Sequence, residues 1–175
     1  SALLALGLSG NDLSVEKQDK IAIISKNRPE WLMLDLACQQ IGVLLCPIYP
    51  TTHVNEIEFI FNDADIKFVF ISGTEILEKI NCVKTNVPSL QQVFSFDSMQ
   101  GAVYWESILS PVDSDDLHRV ETVKQNIQAT TCATIIYTSG TTGFPKGVML
   151  SHRNLVMNVL NATKSFPFPQ KIGRA

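Results

Sequence analysis

The chain has 175 residues, of which 45% are hydrophobic and 18% charged, and its formal net charge at pH 7 is -3. This composition is typical of a folded protein with a hydrophobic core and excludes an intrinsically disordered chain. The slight negative charge and the absence of any run of Lys and Arg give no reason to expect nucleic acid as a partner.

The chain opens on an apolar stretch, Ala2–Leu8, which favours the end of a helix over a signal peptide because basic residues and a cleavage-like site are missing. No apolar run approaches the ~20 residues that a bilayer-spanning helix needs. The missing initiator Met and the abrupt ending at Ala175 favour a chain that is cut at both ends. We therefore expect residues 1–175 to be part of one larger domain.

Signals for strands and helices alternate from Ile21 onward. Ile21–Ser25 is a short β-branched run typical of a buried strand. Asn27–Pro29 offers a cap and a first-turn proline for a helix over about Glu30–Ile41, and Gly42 can end that helix by taking a positive φ. Val43–Ile48 predicts a second buried strand.

Two amphipathic helices and two more strands follow. The 3.6-residue pattern predicts a helix over about His53–Asp63 and another that begins at Gly73. Lys67–Ile71 and Gln91–Phe96 are predicted strands. The residues expected to face inward from the two helices are Val54, Ile57, Ile60, Phe61, Ile76, Leu77, Ile80 and Val83. Repeated β-α units with nearly continuous apolar strands predict an α/β fold, a mainly parallel sheet with helices on both faces.

The stretch from Gly101 to Gln128 is more polar, and there we predict a short helix around Tyr104–Leu109 and another near Asp115–Asn126. The cysteines, Cys38, Cys46, Cys82 and Cys132, are far apart and form no C-x-x-C pair. This spacing favours reduced thiols that pack as small core residues in a cytoplasmic protein over a zinc site or a disulfide framework.

One segment, Thr134–His152, departs from this pattern. A β-branched run leads into the hydroxyl and glycine run T-S-G-T-T-G, then into Phe-Pro-Lys-Gly and a second apolar run. Ser151 can then cap a helix that continues through Leu160. We expect the loop over Thr138–Lys146 to join two neighbouring strands at the edge of the sheet.

The composition of this loop suits a polyphosphate. Gly140 and Gly143 allow a positive φ and let a phosphate approach backbone N–H groups, and Lys146 adds a mobile positive charge. A Walker A loop is excluded because the lysine follows proline and precedes glycine. A flexible hairpin loop without a ligand is the alternative. The hydroxyls that can donate to phosphate or bind Mg²⁺ belong to Thr138, Ser139, Thr141 and Thr142.

The run Tyr137–His152 resembles, almost residue for residue, the signature loop of the adenylate-forming superfamily, which contains acyl-CoA synthetases, luciferases and the adenylation domains of peptide synthetases. Ile21–Trp31 and Pro47–Thr51 look like the long-chain fatty acyl-CoA synthetase branch. The resemblance implies that residues 1–175 are a partial N-terminal AMP-binding domain with its phosphate loop over 137–147. It also implies that the residues that bind adenine, ribose and the acyl chain lie beyond Ala175, so this chain alone is expected to be inactive.

The activity that the resemblance implies is that of a long-chain fatty acid–CoA ligase. Such an enzyme uses ATP and Mg²⁺ to convert a fatty acid to acyl-AMP and then forms a thioester with CoA. The implied partners are therefore a fatty acid, ATP and CoA; peripheral membrane contact and oligomerisation of the complete enzyme stay open. The alternatives are a ligase for an aryl, short-chain or amino-acid carboxylate, and a non-catalytic nucleotide-binding module.

The same resemblance implies roles for single residues. Thr138 would bind Mg²⁺ through its hydroxyl, and Lys146 would pair with pyrophosphate or hold the loop closed; these two are the implied catalytic residues. Tyr137 either lies near the nucleotide or is an ordinary strand aromatic. His152, at a helix start, favours a structural hydrogen bond over proton transfer. The residues implied to wrap the phosphates are Ser139, Gly140, Thr141, Thr142 and Gly143.

Overall fold

The computed structural model describes residues 2–8, 12–109, 111, 114–138 and 143–165. Its strands are β1 (Lys20–Ile24), β2 (Leu44–Ile48), β3 (Phe68–Ile71), β4 (Gln92–Ser95), β5 (Val103–Tyr104), β6 (Cys132–Thr138) and β7 (Lys146–Ser151). Its α-helices are α1 (Ala2–Ala5), α2 (Pro29–Ile41), α3 (Val54–Asp63), α4 (Thr74–Val83), α5 (Ser114–Asn126) and α6 (His152–Ser165), and Lys84–Asn86 and Trp105–Ile108 are 3₁₀ turns.

The strands form one seven-stranded sheet in the order β5-β4-β3-β1-β2-β6-β7. Every neighbouring pair from β5 to β6 is parallel, and only β6 and β7 run antiparallel. This architecture confirms the predicted mainly parallel α/β sheet. Among the described residues, none of the helices has the length and apolar character needed to cross a bilayer.

The central strand β1 shows why the predicted strands are almost continuously apolar. Ala22 and Ile24 pack on the face that is covered by α3 and α4, whereas Ile21 and Ile23 pack on the face that is covered by α1 and α2. All four side chains are fully buried. A strand that is covered on both faces needs apolar residues at every position, and this is what the sequence indicated.

Helix α2 begins and ends close to the predicted residues, but the predicted side-chain cap is wrong, because the N-cap residue is Arg28 and its side chain makes no capping hydrogen bond. Pro29 occupies the first turn, where its missing N–H costs no hydrogen bond. Gly42 ends the helix in the left-handed region with φ of 67°, and its N–H donates to the Cys38 carbonyl. The chain can therefore turn directly into β2.

Helices α3 and α4 bury the predicted faces, apart from Val54, which is only partly buried. Cys82 lies on the outer face of α4 and is exposed, so the prediction of a core thiol is wrong there. The other cysteines are buried, and burial raises the pKa of Cys46 to about 12, which keeps that thiol protonated.

The predicted and the observed secondary structure differ most between Gly101 and Gln128. Val103 and Tyr104 form the short strand β5 through pairing with Phe94 and Ser95, and the sequence did not predict it. The helix expected around Tyr104–Leu109 is only the 3₁₀ turn that begins at Trp105. The helix expected near Asp115–Asn126 is confirmed as α5.

Arg28 joins three segments at the carboxyl edge of the sheet. Its Nε and Nη2 donate to the Glu30 carboxylate at 2.8 and 3.0 Å, and its Nη1 donates to Asp97 Oδ1 at 2.9 Å. Asp97 Oδ2 also accepts the Gly73 N–H at 2.9 Å. The hydrogen bond from Arg28 holds the pKa of Asp97 below its usual range and that of Glu30 at about 2. The start of α2 is thereby tied to the start of α4.

Asp97→Asn is expected to lower the free energy of unfolding by about 1 kcal/mol at pH 7, a small loss because Asp97 is 45% exposed and water screens the pair. Since folding lowers this pKa, the carboxylate stabilises the fold above its unfolded value of about 4 and stops doing so as the pH falls through the folded value. Urea unfolding at pH 7 and pH 3 measures the difference. The matched control is Glu121→Gln in an exposed pair with Lys124. An equal loss at both pH values would contradict the expectation.

Candidate functional site

Strands β6 and β7 form an antiparallel hairpin, with β7 at the edge of the sheet. The hairpin is fixed to β2 through side chains. Thr134 Oγ1 donates to the Leu45 carbonyl at 2.6 Å, and Gln18 Nε2 donates to the carbonyls of Gly42 and Cys132 at 2.9 and 3.2 Å. The prediction that the loop joins two neighbouring strands at the sheet edge is confirmed.

The last register pair of the hairpin is Thr138 opposite Lys146. Residues directly opposite in an antiparallel pair share a face, with Cβ atoms about 5 Å apart. Both side chains are exposed at the carboxyl end of β6. Among the described residues, no acidic side chain pairs with Lys146. The register therefore brings a hydroxyl and an unpaired ammonium group together at one end of the hairpin.

The turn of the predicted phosphate loop is only partly covered by the structure. Ser139, Gly140, Thr141 and Thr142 lie outside the described residues. Gly143 has φ of 107°, in the region that favours glycine, so the backbone conformation expected of it is present. Its contact with a phosphate stays a prediction, as do the roles of the other loop residues.

Gly147 has a role that the sequence did not reveal. A Cβ atom at this position would lie 3.0 Å from Ile135 Cγ2 and 3.1 Å from Tyr137 Cζ, which is tighter than most Cβ contacts, so these neighbours would have to shift by a few tenths of an ångström. The missing side chain therefore lets the Tyr137 ring cross the opposite strand. Only the register, which pairs Tyr137 with Gly147, makes this requirement visible.

Tyr137 has a protein partner outside the hairpin. Its half-buried hydroxyl donates to Asp63 Oδ2 at 2.6 Å, at the end of α3. Burial, followed by the hydrogen bond to this carboxylate, raises the pKa of Tyr137, so the phenol stays a proton donor throughout the physiological range. The Asp63 carboxylate therefore accepts its hydrogen bond from a phenol and is not one of a pair of carboxylates that share a proton.

A cavity of about 340 Å³ lies beside the hairpin, at the carboxyl ends of β2 and β6. Ligands of open α/β sheets bind outside the carboxyl ends of the strands, which is where this cavity lies. The polar side chains that line it are Tyr49, Thr52, Glu56, Tyr137 and Thr138, and the buried Pro145 forms part of its wall. The cavity and the Thr138–Lys146 pair therefore belong to one candidate site.

The residues present fit the predicted Mg²⁺ only if a substrate supplies further ligands to the ion. The hydroxyl oxygen of Thr138 is the type of hard ligand that Mg²⁺ takes. Within the described ranges, no group of three or more His, Cys, Asp or Glu side chains could hold a metal ion. The remaining ligands would have to be phosphate oxygens and water, an arrangement that is common for this ion.

The histidines lie away from this pair or serve the fold. His152 opens α6, and its backbone N–H donates to the Thr131 carbonyl at 3.1 Å. Burial lowers the pKa of its imidazole, which favours the neutral form at pH 7. His53 and His118 are exposed.

The chain matches one protein-family model and is similar in sequence to several known proteins. A family model described as "AMP-binding enzyme" matches residues 1–172. The chain is 30% identical over 182 residues to long-chain-fatty-acid–CoA ligase 6 of Mus musculus, and 31% identical over 179 residues to the peroxisomal long chain acyl-CoA synthetase 6 of Arabidopsis thaliana. Each match covers 96% of this chain but 26% and 25% of the relative, so the chain spans about a quarter of their length.

The fold also matches solved structures. A natural red-emitting luciferase from Phrixothrix hirtus superimposes with a TM-score of 0.72 at 25% sequence identity, over 93% of this chain and 30% of the luciferase chain. The fold of this chain is therefore shared with a luciferase, and a shared fold does not by itself fix a function.

Proposed function

The chain belongs to the AMP-binding enzyme family, and from this membership we propose that it is the loop-bearing part of an AMP-forming long-chain fatty acid–CoA ligase. The relatives named as long-chain ligases match nearly the whole chain at about 30% identity, which supports a fatty acid as the substrate. The observation that carries the proposal is the pairing of Thr138 with Lys146 at the carboxyl edge of the sheet, beside a cavity that Thr138 lines.

In the proposed reaction a fatty acid carboxylate oxygen attacks the α-phosphorus of ATP, and the bond from this phosphorus to the departing pyrophosphate breaks. The CoA thiol then attacks the acyl carbon of the acyl-AMP, AMP leaves, and the thiol proton passes to solvent. Both reactants of the first step are anions. Charge neutralisation and positioning must therefore supply most of the catalysis.

Lys146 would offset the charge that develops on pyrophosphate, since its ammonium is exposed and has no acidic partner among the described residues. Thr138 would hold Mg²⁺, which when bound neutralises phosphate charge. The backbone and hydroxyl groups of the intervening loop would wrap the β- and γ-phosphates. The loop residues proposed for this contact are Ser139, Gly140, Thr141, Thr142 and Gly143.

The second candidate function is activation of another carboxylate, such as an aryl, short-chain or amino acid. The observation in its favour is the shared fold with a luciferase, because a fold by itself does not select a substrate. A non-catalytic nucleotide-binding module is the third candidate.

The test is exchange of labelled pyrophosphate into ATP by the full-length protein that contains this chain. We expect palmitate to support exchange at a rate more than about tenfold above that with acetate, benzoate or amino acids, since each methylene in an apolar pocket adds discrimination. A mixture without any acid is the control. Exchange that requires benzoate or an amino acid would favour the second candidate, and no exchange with any acid would favour the module.

A further inference from the structure

Both ends of the hairpin loop rest on helix α3. At the departing end, the Tyr137 hydroxyl donates to Asp63. At the returning end, the Phe144 ring stacks on Phe59, with centroids 4.8 Å apart and planes inclined by 22°. Phe59 and Asp63 are four residues apart and so lie on one face of the helix. A single helix face therefore contacts the chain on either side of the loop.

The stack is not explained by burial alone. Phe144 is 64% exposed, although a phenylalanine side chain gains most when it leaves water entirely. Pro145 directly after it is buried, and it lines the same cavity as Ile60 of α3. The Phe144 stack therefore holds the returning chain against the helix two residues before Lys146 begins β7.

We propose that α3 positions the hairpin through these two contacts, so that Thr138 and Lys146 keep their register when phosphates bind. This inference rests on the proposed function of the loop. Phe59, Asp63, Tyr137 and Phe144 are positioning residues in it and do not touch the reacting atoms. A loop that is already held by its ends loses less conformational freedom on binding, so less of the binding free energy is spent on ordering it.

The inference predicts that substitutions of Tyr137 and of Asp63 that break their hydrogen bond have the same effect. If the Tyr137 hydroxyl serves only to hold the hairpin on α3, Tyr137→Phe and Asp63→Ala should have the same effect, since each removes one partner of this hydrogen bond. Tyr137→Phe keeps the ring that crosses Gly147 and removes only the hydroxyl. A direct contact of the phenol with nucleotide would instead make Tyr137→Phe harmful and Asp63→Ala nearly silent.

The experiment compares Phe59→Leu, Phe144→Leu and the double variant in the full-length protein. Hydrogen exchange of residues 143–147 is measured by mass spectrometry without substrates, and KM for MgATP, KM for palmitate and kcat are measured separately. Leu117→Ala is the control, because Leu117 is an exposed apolar residue on α5, which packs against α2 on the face of the sheet opposite to α3. Phe144→Tyr, which keeps the ring, should behave like the parent.

Each single variant is expected to speed hydrogen exchange of residues 143–147 and to raise KM for MgATP by about threefold to tenfold. This fold-change corresponds to the interaction free energy of a stacked aromatic pair. KM for palmitate should not change. The double variant should be no worse than either single variant, because both remove the same contact.

The inference would be overturned if hydrogen exchange and KM for MgATP in the variants matched those of the control. It would also be overturned if the effects of the two single variants added in the double variant. A parent protein without ATP-dependent activity would refute the proposed function instead. The exchange measurement would then still decide whether α3 holds the hairpin.

Discussion

Lys146→Ala is expected to slow acyl-adenylate formation by about 10²- to 10³-fold, the usual cost of removing one group aimed at charge that develops in a transition state. The same change should alter the free energy of unfolding by less than about 0.5 kcal/mol. Lys146 is exposed at the start of an edge strand and has no acidic partner among the described residues, so the fold loses little without it.

The measurement is pyrophosphate exchange by the full-length protein, alongside thermal unfolding of the same preparations. Lys164→Ala is the matched control, since it removes an exposed lysine at the end of α6. Lys146→Arg keeps the positive charge but not the compact ammonium, and intermediate activity is expected. Exchange by Lys146→Ala at the parental rate would contradict the assignment, and so would a loss that a fall in stability accounts for.

Phe61→Ala is expected to lower the free energy of unfolding by about 3–5 kcal/mol. The Phe61 side chain is fully buried between α3 and the sheet, and alanine would leave a cavity that the packed neighbours cannot fill. Because single domains are stable by only about 5–15 kcal/mol, this loss approaches the whole margin.

Urea unfolding measures this loss, and Phe144→Ala supplies the matched control. Both substitutions remove the same phenyl ring, but Phe144 is 64% exposed, so its loss should cost about 1 kcal/mol or less. Equal losses at the two positions would mean that α3 does not pack as described. Phe61→Ala should also disturb the hairpin, since it loosens the helix that carries Phe59 and Asp63.

Most of the sheet and its helices could be predicted because their signals are local. The continuous apolar strands, the first-turn Pro29 and the terminal Gly42 each depend on a few neighbouring residues. Strand β5 could not be predicted in this way, because its two residues are a strand only through pairing with β4. The exposure of Cys82 was available from the sequence, since the inward positions of α4 leave it on the outer face.

The candidate site likewise has features that the local sequence predicts and features that depend on pairing and packing. Thr138 and Lys146 could be named from their chemistry, but that they lie opposite each other follows from the register of β6 and β7. The contacts of Tyr137 with Asp63, 74 residues apart, and of Phe144 with Phe59 depend on how α3 packs beside the hairpin. No local pattern encodes that packing, so the sequence indicated the reacting groups and not what holds them.

The order of the strands has a consequence for the protein as it leaves the ribosome. Strands β1 to β5 are all made before β6, yet β2 needs β6 as its second neighbour. Leu45 and its partner Thr134 are 89 residues apart. At about 5–20 residues per second, roughly 4 to 18 seconds pass before this edge of β2 can be covered. During that interval the nascent chain presents an open strand edge to its neighbours, and the hairpin that carries the candidate site is the element that closes it.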